Sequence, residues 1–291
     1  MALAIWACGS TDPPGTAPLV FQSDFGRRDG EVAVMHGVAY RVSRDLDIFD
    51  ITHDIEPFNI WEGAYKLKAT APYWVEGTVF VSVVDPGVGT DRRSVVLKTK
   101  SGHYFVSPDN GSLTLVAQEL GIEALREIDE TVNRRKGTEE SHTFHGRDVY
   151  AYTGARLAAG VIAFEEVGPL LEPQVKELER PGVELREGII YGFIPYIDRR
   201  FNVWTNIDLD TFKKLRLERH DLVRITIKHG SRIVYQADVP YVDTFGQVPV
   251  GGPLVFINSR FDVSLALNQE DFAKTFRIRV GPDWTVGIAT K

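Results

Sequence analysis

From Leu19 the chain alternates between two hydrophobic periods. LVFQS at 19–23 is a continuous apolar run of strand length, and beyond the polar loop Asp24 to Gly30 the residues Val32, Met35, Val38, Ala39 and Val42 recur at helical spacing. Leu46 to Ile51 predicts a strand, Trp61 to Ala71 a helix, and Thr78 to Val84 a buried strand. Ser112 to Glu119 predicts a further helix after the turn-forming PDNG at 108–111. Strand and helix in alternation predict an α/β domain with a mostly parallel sheet, whose functional loops follow the C-terminal ends of strands.

After Pro181 the texture changes to short runs rich in Val, Ile, Tyr and Phe: GIIYGFIPYID, FNVWTNI, LVRITIK, RIVYQ and PLVFINS. ITIK and RIVY flank a tight HGS connection, a hairpin signal. These runs predict a smaller all-β domain, an antiparallel barrel or sandwich. The expected organisation is a tail over 1–17, an α/β domain over 18–180 and a β-rich domain over 188–291, with the boundary among the Pro and charged residues of Pro169 to Gly188.

A length of 291 residues agrees with two domains, and 43% hydrophobic residues suffice for two cores. The balance of 33 basic against 40 acidic residues, net charge −7, removes the electrostatic footprint of a nucleic-acid-binding protein. Cys8 is the single cysteine, which excludes an internal disulfide framework and a cysteine zinc cluster. No apolar run approaches bilayer length, so no membrane-spanning segment is expected. LAIWAC at 3–8 and the Pro- and Gly-rich stretch to Pro18 resemble the end of an exported lipoprotein signal and its tether. Against that, no Lys or Arg precedes the apolar part and Trp6 is bulky for its place, which suits a plain disordered tail. Either way the first 17 residues are expected outside the fold.

Several segments concentrate polar chemistry. SDFGRRDG places Asp24 and Asp29 after the opening strand, where a carboxylate can accept from two ribose hydroxyls or cap the next helix. VVDPGVGTDRRS sets Asp85 at the end of the best buried strand, followed by glycines and by Arg92 and Arg93. It lacks the Gly-Lys-Ser/Thr ending of a phosphate loop. SHTFHGRD gathers His142, His145, Arg147 and Asp148, with histidine as the proton carrier near neutral pH. A metal reading would use His53, Asp54, His145 and Asp148, but no compact ligand spacing appears and no metal is expected. In the β-rich part, YIDRRFNVWTNID offers Asp198, Phe201, Asn202 and Trp204, and FINSRFDVSLALNQ offers Ser259, Arg260 and Asn268. Rings beside an amide suit a purine, Arg with Ser suits a carboxylate, and Asp suits an ammonium. Taken one at a time, Phe201, Trp204 and Phe261 are better read as filling the β-domain core.

In order along the chain, QSDFG, DPGVGTDRR, SPDNG, TFHGRD, FNVWTNID and INSR resemble the S-adenosylmethionine hydrolases that form adenosine, the SAM hydroxide adenosyltransferase family, relatives of the fluorinase and chlorinase. The resemblance runs from about Leu19 to the C-terminus. It implies a catalytic trio of Asp85, Arg92 and His145, with Arg93 a one-position alternative to Arg92. It also implies that Asp24 meets the ribose hydroxyls, that Phe201, Asn202, Trp204 and Phe245 surround adenine, and that Asp198, Ser259 and Arg260 hold the methionine amino and carboxylate groups. Leu267-Asn268-Gln269 departs from the Arg-Asn-Ala run of the halogenases, which weakens any adenine contact near Asn268. Asp85-Pro86 and His145-Gly146 stand where the halogenases resemble Tyr-Pro and Tyr-Ser, so the chain matches the water-using branch.

The resemblance implies hydrolysis of S-adenosyl-L-methionine to adenosine and L-methionine by in-line attack of water on the ribose C5′. It implies no cofactor, a cytoplasmic location, and a homotrimer with each site between the α/β domain of one subunit and the β domain of its neighbour. A 5′-halogenase and a non-catalytic S-adenosylmethionine- or adenosine-binding protein are the alternatives.

Overall fold

The computed structural model describes residues 16–179 and 181–291, which divide into two compact units, one ending at Glu177 and the other beginning at Leu178. The expected tail over 1–17 lies outside the described residues except at its end. There the Thr16 hydroxyl donates to Asp45 O at 3.0 Å and Ala17 N to Ala158 O at 2.8 Å, so these two residues belong to the first unit. No helix among the described residues is long and apolar enough to cross a membrane.

The first unit is built on β1 (Leu19–Ser23), β2 (Ile48–Thr52), β3 (Val79–Val83), β4 (Ser94–Thr99), β5 (Tyr104–Pro108), β6 (Ile122–Glu127) and β7 (Leu170–Leu171). They form one sheet in the order β2-β1-β3-β5-β4-β6-β7. β1 and β3 are buried at every position, the continuous apolar pattern of strands covered on both faces. Period-two alternation sorts their side chains: Leu19, Phe21, Val79 and Val81 pack with Met35 and Val38 of α1 (Glu31–Val42), and Val20 and Phe80 with Leu67 of α2 (Ile60–Thr70) and Val116 of α3 (Thr114–Leu120). Two helical layers therefore enclose one sheet.

The sheet is mixed: β1, β2, β3, β5 and β6 run in one direction, and β4 and β7 run against them. The β1–β2, β1–β3 and β3–β5 pairings are parallel; the β4–β5, β4–β6 and β6–β7 pairings are antiparallel. The cause is the four-residue link Lys100 to His103, with Gly102 at φ +78°. A link that short can only return the chain antiparallel, whereas a parallel neighbour needs a crossover of a dozen residues or more.

The second unit carries two antiparallel sheets. One orders β13 (Arg232–Pro240), β12 (Leu222–His229), β16 (Gly281–Thr290), β9 (Ile189–Ile194) and β8 (Glu184–Arg186); the other orders β10 (Tyr196–Ile197), β11 (Val203–Asp208), β15 (Asp262–Leu267) and β14 (Pro253–Ile257). Ile190, Ile225 and Val286 from the first share one core with Val203, Val255 and Leu265 from the second. The hairpin expected across HGS is β12–β13, with Gly230 at φ +57° in its turn.

Candidate active site

Two loops leave the C-terminal ends of adjacent parallel strands. Ser23 of β1 is in register with Val83 of β3, so Asp24 and Asp85 emerge side by side from the sheet edge, where α/β folds place their ligands. The turn after Asp85 doubles back through Gly89 at φ +80°, bringing Arg92 onto the Asp85 carboxylate. Arg92 Nε donates to Oδ1 at 3.0 Å and to Oδ2 at 3.1 Å, and Nη2 to Oδ2 at 2.7 Å. Arg92 Nη2 also lies 2.9 Å from His145 Nδ1, and Nη1 donates to Ser94 Oγ at 3.1 Å. Arg93 turns away to the Asp109 carboxylate, so Arg92 is the arginine of this cluster.

These contacts assign the imidazole tautomer. A guanidinium only donates, so His145 Nδ1 accepts, and the neutral ring carries its proton on Nε2. That Nε2 is buried with no hydrogen-bond partner among the described residues, a donor held for something else. Burial, with the charges of Arg92 and Arg134 acting against Glu130 and Asp85, holds the imidazole below the ordinary histidine value. Burial pulls on Arg92 as well, but the hydrogen-bonded Asp85 carboxylate outweighs it and holds the guanidinium above its ordinary value. Behind the trio stands Tyr150, its hydroxyl 3.1 Å from Ser94 Oγ and 3.5 Å from Asp85 Oδ2, pushed up by burial and therefore neutral.

His145 opens a π-helical turn, Gly146–Ala151, that leads into α4 (Tyr152–Ala158). A Cβ at Gly146 would sit 2.9 Å from the Phe25 ring; glycine here lets the His145 turn close on the Asp24 loop. Phe25 and Phe144 meet edge to face at 5.6 Å across the same seam. The Asp24 carboxylate accepts from Phe58 N at 2.8 Å. Burial raises its pKa against that bond, and the Asp85 charge adds to the rise. Phe58 holds a left-handed φ of +68° and is 72% exposed, an unfavourable conformation for an aromatic residue beside a candidate ligand carboxylate.

The loosely spaced metal set does not come together. Asp148 is buried and accepts from Arg147 at 2.6 Å and from Arg135 at 3.3 Å, which locks the His145 turn, while Asp54 and His142 are exposed. His53 instead joins His36 and Asp50, the potential metal-ligand group among the described residues. Sequence reasoning missed Ser94, Tyr150, Phe58, His36 and Asp50. For Ser94 and Tyr150 the one available signal was their place beside the Arg92 and His145 motifs.

In the second unit the predicted residues gather on one turn. Asp198 Oδ1 accepts from Arg200 N and Asn202 N, each at 2.9 Å, and Oδ2 from Asn202 Nδ2 at 2.8 Å and Trp204 Nε1 at 3.3 Å. Four donors fill the lone-pair directions of this carboxylate. Arg260 places its guanidinium 5.1 Å from the Trp204 ring centre. Its turn is organised by the buried Asn258, whose Oδ1 accepts from Arg260 N at 2.8 Å, and the adjacent Ser259 is exposed. Asn202 and Phe245 line a groove of about 500 Å³ with Asn268, whose amide is committed to Val248 O at 2.8 Å. Phe201, at φ +60°, sits on the same turn, with its ring 3.6 Å from Lys274 Nζ and packed against the core.

A carboxylate and a guanidinium on a strand-end loop of an α/β sheet, joined by a tautomer-fixed imidazole from the start of a helical turn, define an enzyme-type site. The N-terminal domain of the SAM hydroxide adenosyltransferases matches residues 19–168 and their C-terminal domain residues 192–285. The chain belongs to the SAM hydroxide adenosyltransferase family. It is 39% identical over 219 residues to the (R)-S-adenosyl-L-methionine hydrolase of Methanocaldococcus jannaschii, covering 74% of this chain and 75% of the relative. It is 35% identical to the enzyme of the same name from Salinispora arenicola, over 85% and 89%, and 30% identical to the fluorinase of Actinopolyspora mzabensis, over 90% and 94%. A crystal structure of a conserved Thermotoga maritima protein superimposes with a TM-score of 0.84 at 34% identity, covering 93% of this chain and 99% of that one.

Proposed function

We propose that this enzyme hydrolyses S-adenosyl-L-methionine to adenosine and L-methionine, with Asp85, Arg92 and His145 as the groups that place the attacking water. The observation that carries this reading is the Arg92 fork, which holds Asp85 and His145 together at 2.7 and 2.9 Å in a chain whose relatives are named for this reaction. Water attacks the ribose C5′ in line with the sulfonium, and the C5′–S bond breaks with both electrons leaving on a neutral thioether. The leaving group needs no acid. Assistance falls entirely on the nucleophile, and His145, with Nδ1 already accepting, offers an Nε2 proton and no free lone pair. It orients the water, and Asp85 is the available acceptor for the proton released as the bond forms. Bidentate Arg92 keeps that carboxylate rigid, so positioning contributes more than basicity.

Asp24 is assigned to the ribose hydroxyls. Phe201, Asn202, Trp204 and Phe245 are assigned to adenine, and Asp198, Ser259 and Arg260 to the methionine end. Asp198 acts there through its charge and through the order it imposes on its turn, since its lone pairs are engaged. A carboxylate at Asp85 repels a halide, which disfavours the halogenase reading. The scheme uses no metal or cofactor, expects a homotrimer by light scattering, and expects the cytoplasm, where the substrate is made.

Incubation with each sulfonium epimer of S-adenosyl-L-methionine, followed by chromatography, tests the reading. Stoichiometric adenosine and methionine are expected, with the (R) form carried by the relatives' names as the first candidate. A 5′-halogenated adenosine in chloride buffer, or binding without turnover, would overturn it.

A further inference from the structure

Beneath the Asp24 loop lies a second polar chain that the water-placing trio does not use. Ser23 and His53 are both fully buried, and Ser23 Oγ lies 2.7 Å from His53 Nδ1. His53 Nε2 reaches Asp50 Oδ1 at 3.0 Å on an off-line approach, His36 Nε2 meets the same oxygen at 2.8 Å, and Arg27 Nη2 donates to Asp50 Oδ2 at 3.1 Å. Two imidazoles and a carboxylate at this spacing could hold a metal, but Asp50 is already engaged by His36 and by Arg27, which supplies positive charge, and His53 Nε2 faces the same carboxylate.

The direction of the bonds follows from the acceptor. Asp50, held below its ordinary value by its two imidazole partners despite burial, only accepts, so His53 carries its proton on Nε2. Burial keeps His53 neutral, which leaves Nδ1 to accept from the Ser23 hydroxyl. Ser23 Oγ then has lone pairs free for Phe25 N at 3.3 Å, and the His53 carbonyl accepts from Gly26 N at 2.8 Å. Ser23 and His53 thereby hold the two residues that follow Asp24, Phe25 and Gly26, by their backbone N–H groups.

We propose that Ser23, His53 and Asp50 are positioning residues, a buried relay that fixes the backbone carrying Asp24 and so sets its carboxylate against the ribose hydroxyls. The proposal rests on the ribose assignment made above. Its signature is selectivity for hydroxyls, which a general loss of stability does not produce. Ser23→Ala and His53→Gln are to be compared with wild type and Asp24→Ala by calorimetric titration with adenosine and with 2′,3′-dideoxyadenosine. Each relay variant is expected to weaken adenosine about tenfold while leaving the dideoxy ligand within about twofold, the pattern of Asp24→Ala. Equal weakening of both ligands, or wild-type adenosine affinity in both variants, would overturn the relay. Should Ser23→Ala fold poorly, His53→Gln is read alone. Wild-type protein that binds adenosine without hydrolysing S-adenosyl-L-methionine sinks only the hydrolase reading, and wild type that binds no adenosine sinks both.

Discussion

The two units place their polar side chains in opposite ways. In the first, the local Asp85–Arg92 pair is tied to groups from distant stretches: Arg92 reaches His145 across 53 residues, and Ser94 reaches Tyr150 across 56. In the second, one turn from Asp198 to Trp204 makes its own network. Long-range convergence places each group through two packed elements and leaves it little freedom, as transition-state chemistry requires. A local turn is held by a few bonds and can adjust as a ligand docks. The first arrangement suits rate and the second suits affinity.

That contrast breaks most sharply on Asp85→Ala, which is expected to lower kcat about 10³-fold with KM within a few-fold, read from initial rates of adenosine release. Asp198→Ala should do the reverse, raising KM about tenfold with kcat within about threefold. If both variants lose kcat alone, the division of labour is wrong. A smaller effect sharpens the first half of the comparison. Because His145 titrates below the ordinary value of 6.5, its neutral form persists as pH falls through 6.5 and is lost only below it, when a second cation forms beside Arg92. The kcat profile should therefore stay flat through pH 6.5 and decline on the acid side, and a decline centred at or above 6.5 contradicts the lowered His145 value.

The same contrast explains what could be read before the fold was known. Asp198, Asn202 and Trp204 were legible because their partners lie within seven positions of one another. Asp24 and Asp85 were legible because buried apolar runs announce strand ends. The order of motifs then linked Arg92 and His145, a pairing that no local spacing encodes. Ser94 and Tyr150 stayed hidden because a serine in a strand and a tyrosine in a helical turn have many uses. So did the Ser23–His53 pair, 30 residues apart. The antiparallel β4–β5 pair carries a local signal of its own: SVVLKT and YFVSP flank a short Gly-containing link, a hairpin pattern.

The shared edge of β1 and β3 carries a consequence for how this scaffold changes chemistry. Neighbouring strands in a sheet keep about 4.8 Å between their backbones whatever side chains they bear. The Asp24 loop and the Asp85 loop, to which the proposed function gives the sugar and the nucleophile, are therefore spaced by main-chain hydrogen bonds, and a lineage can rewrite one loop without disturbing the other. Hydrolases and fluorinases built on a common frame are what such modular spacing permits.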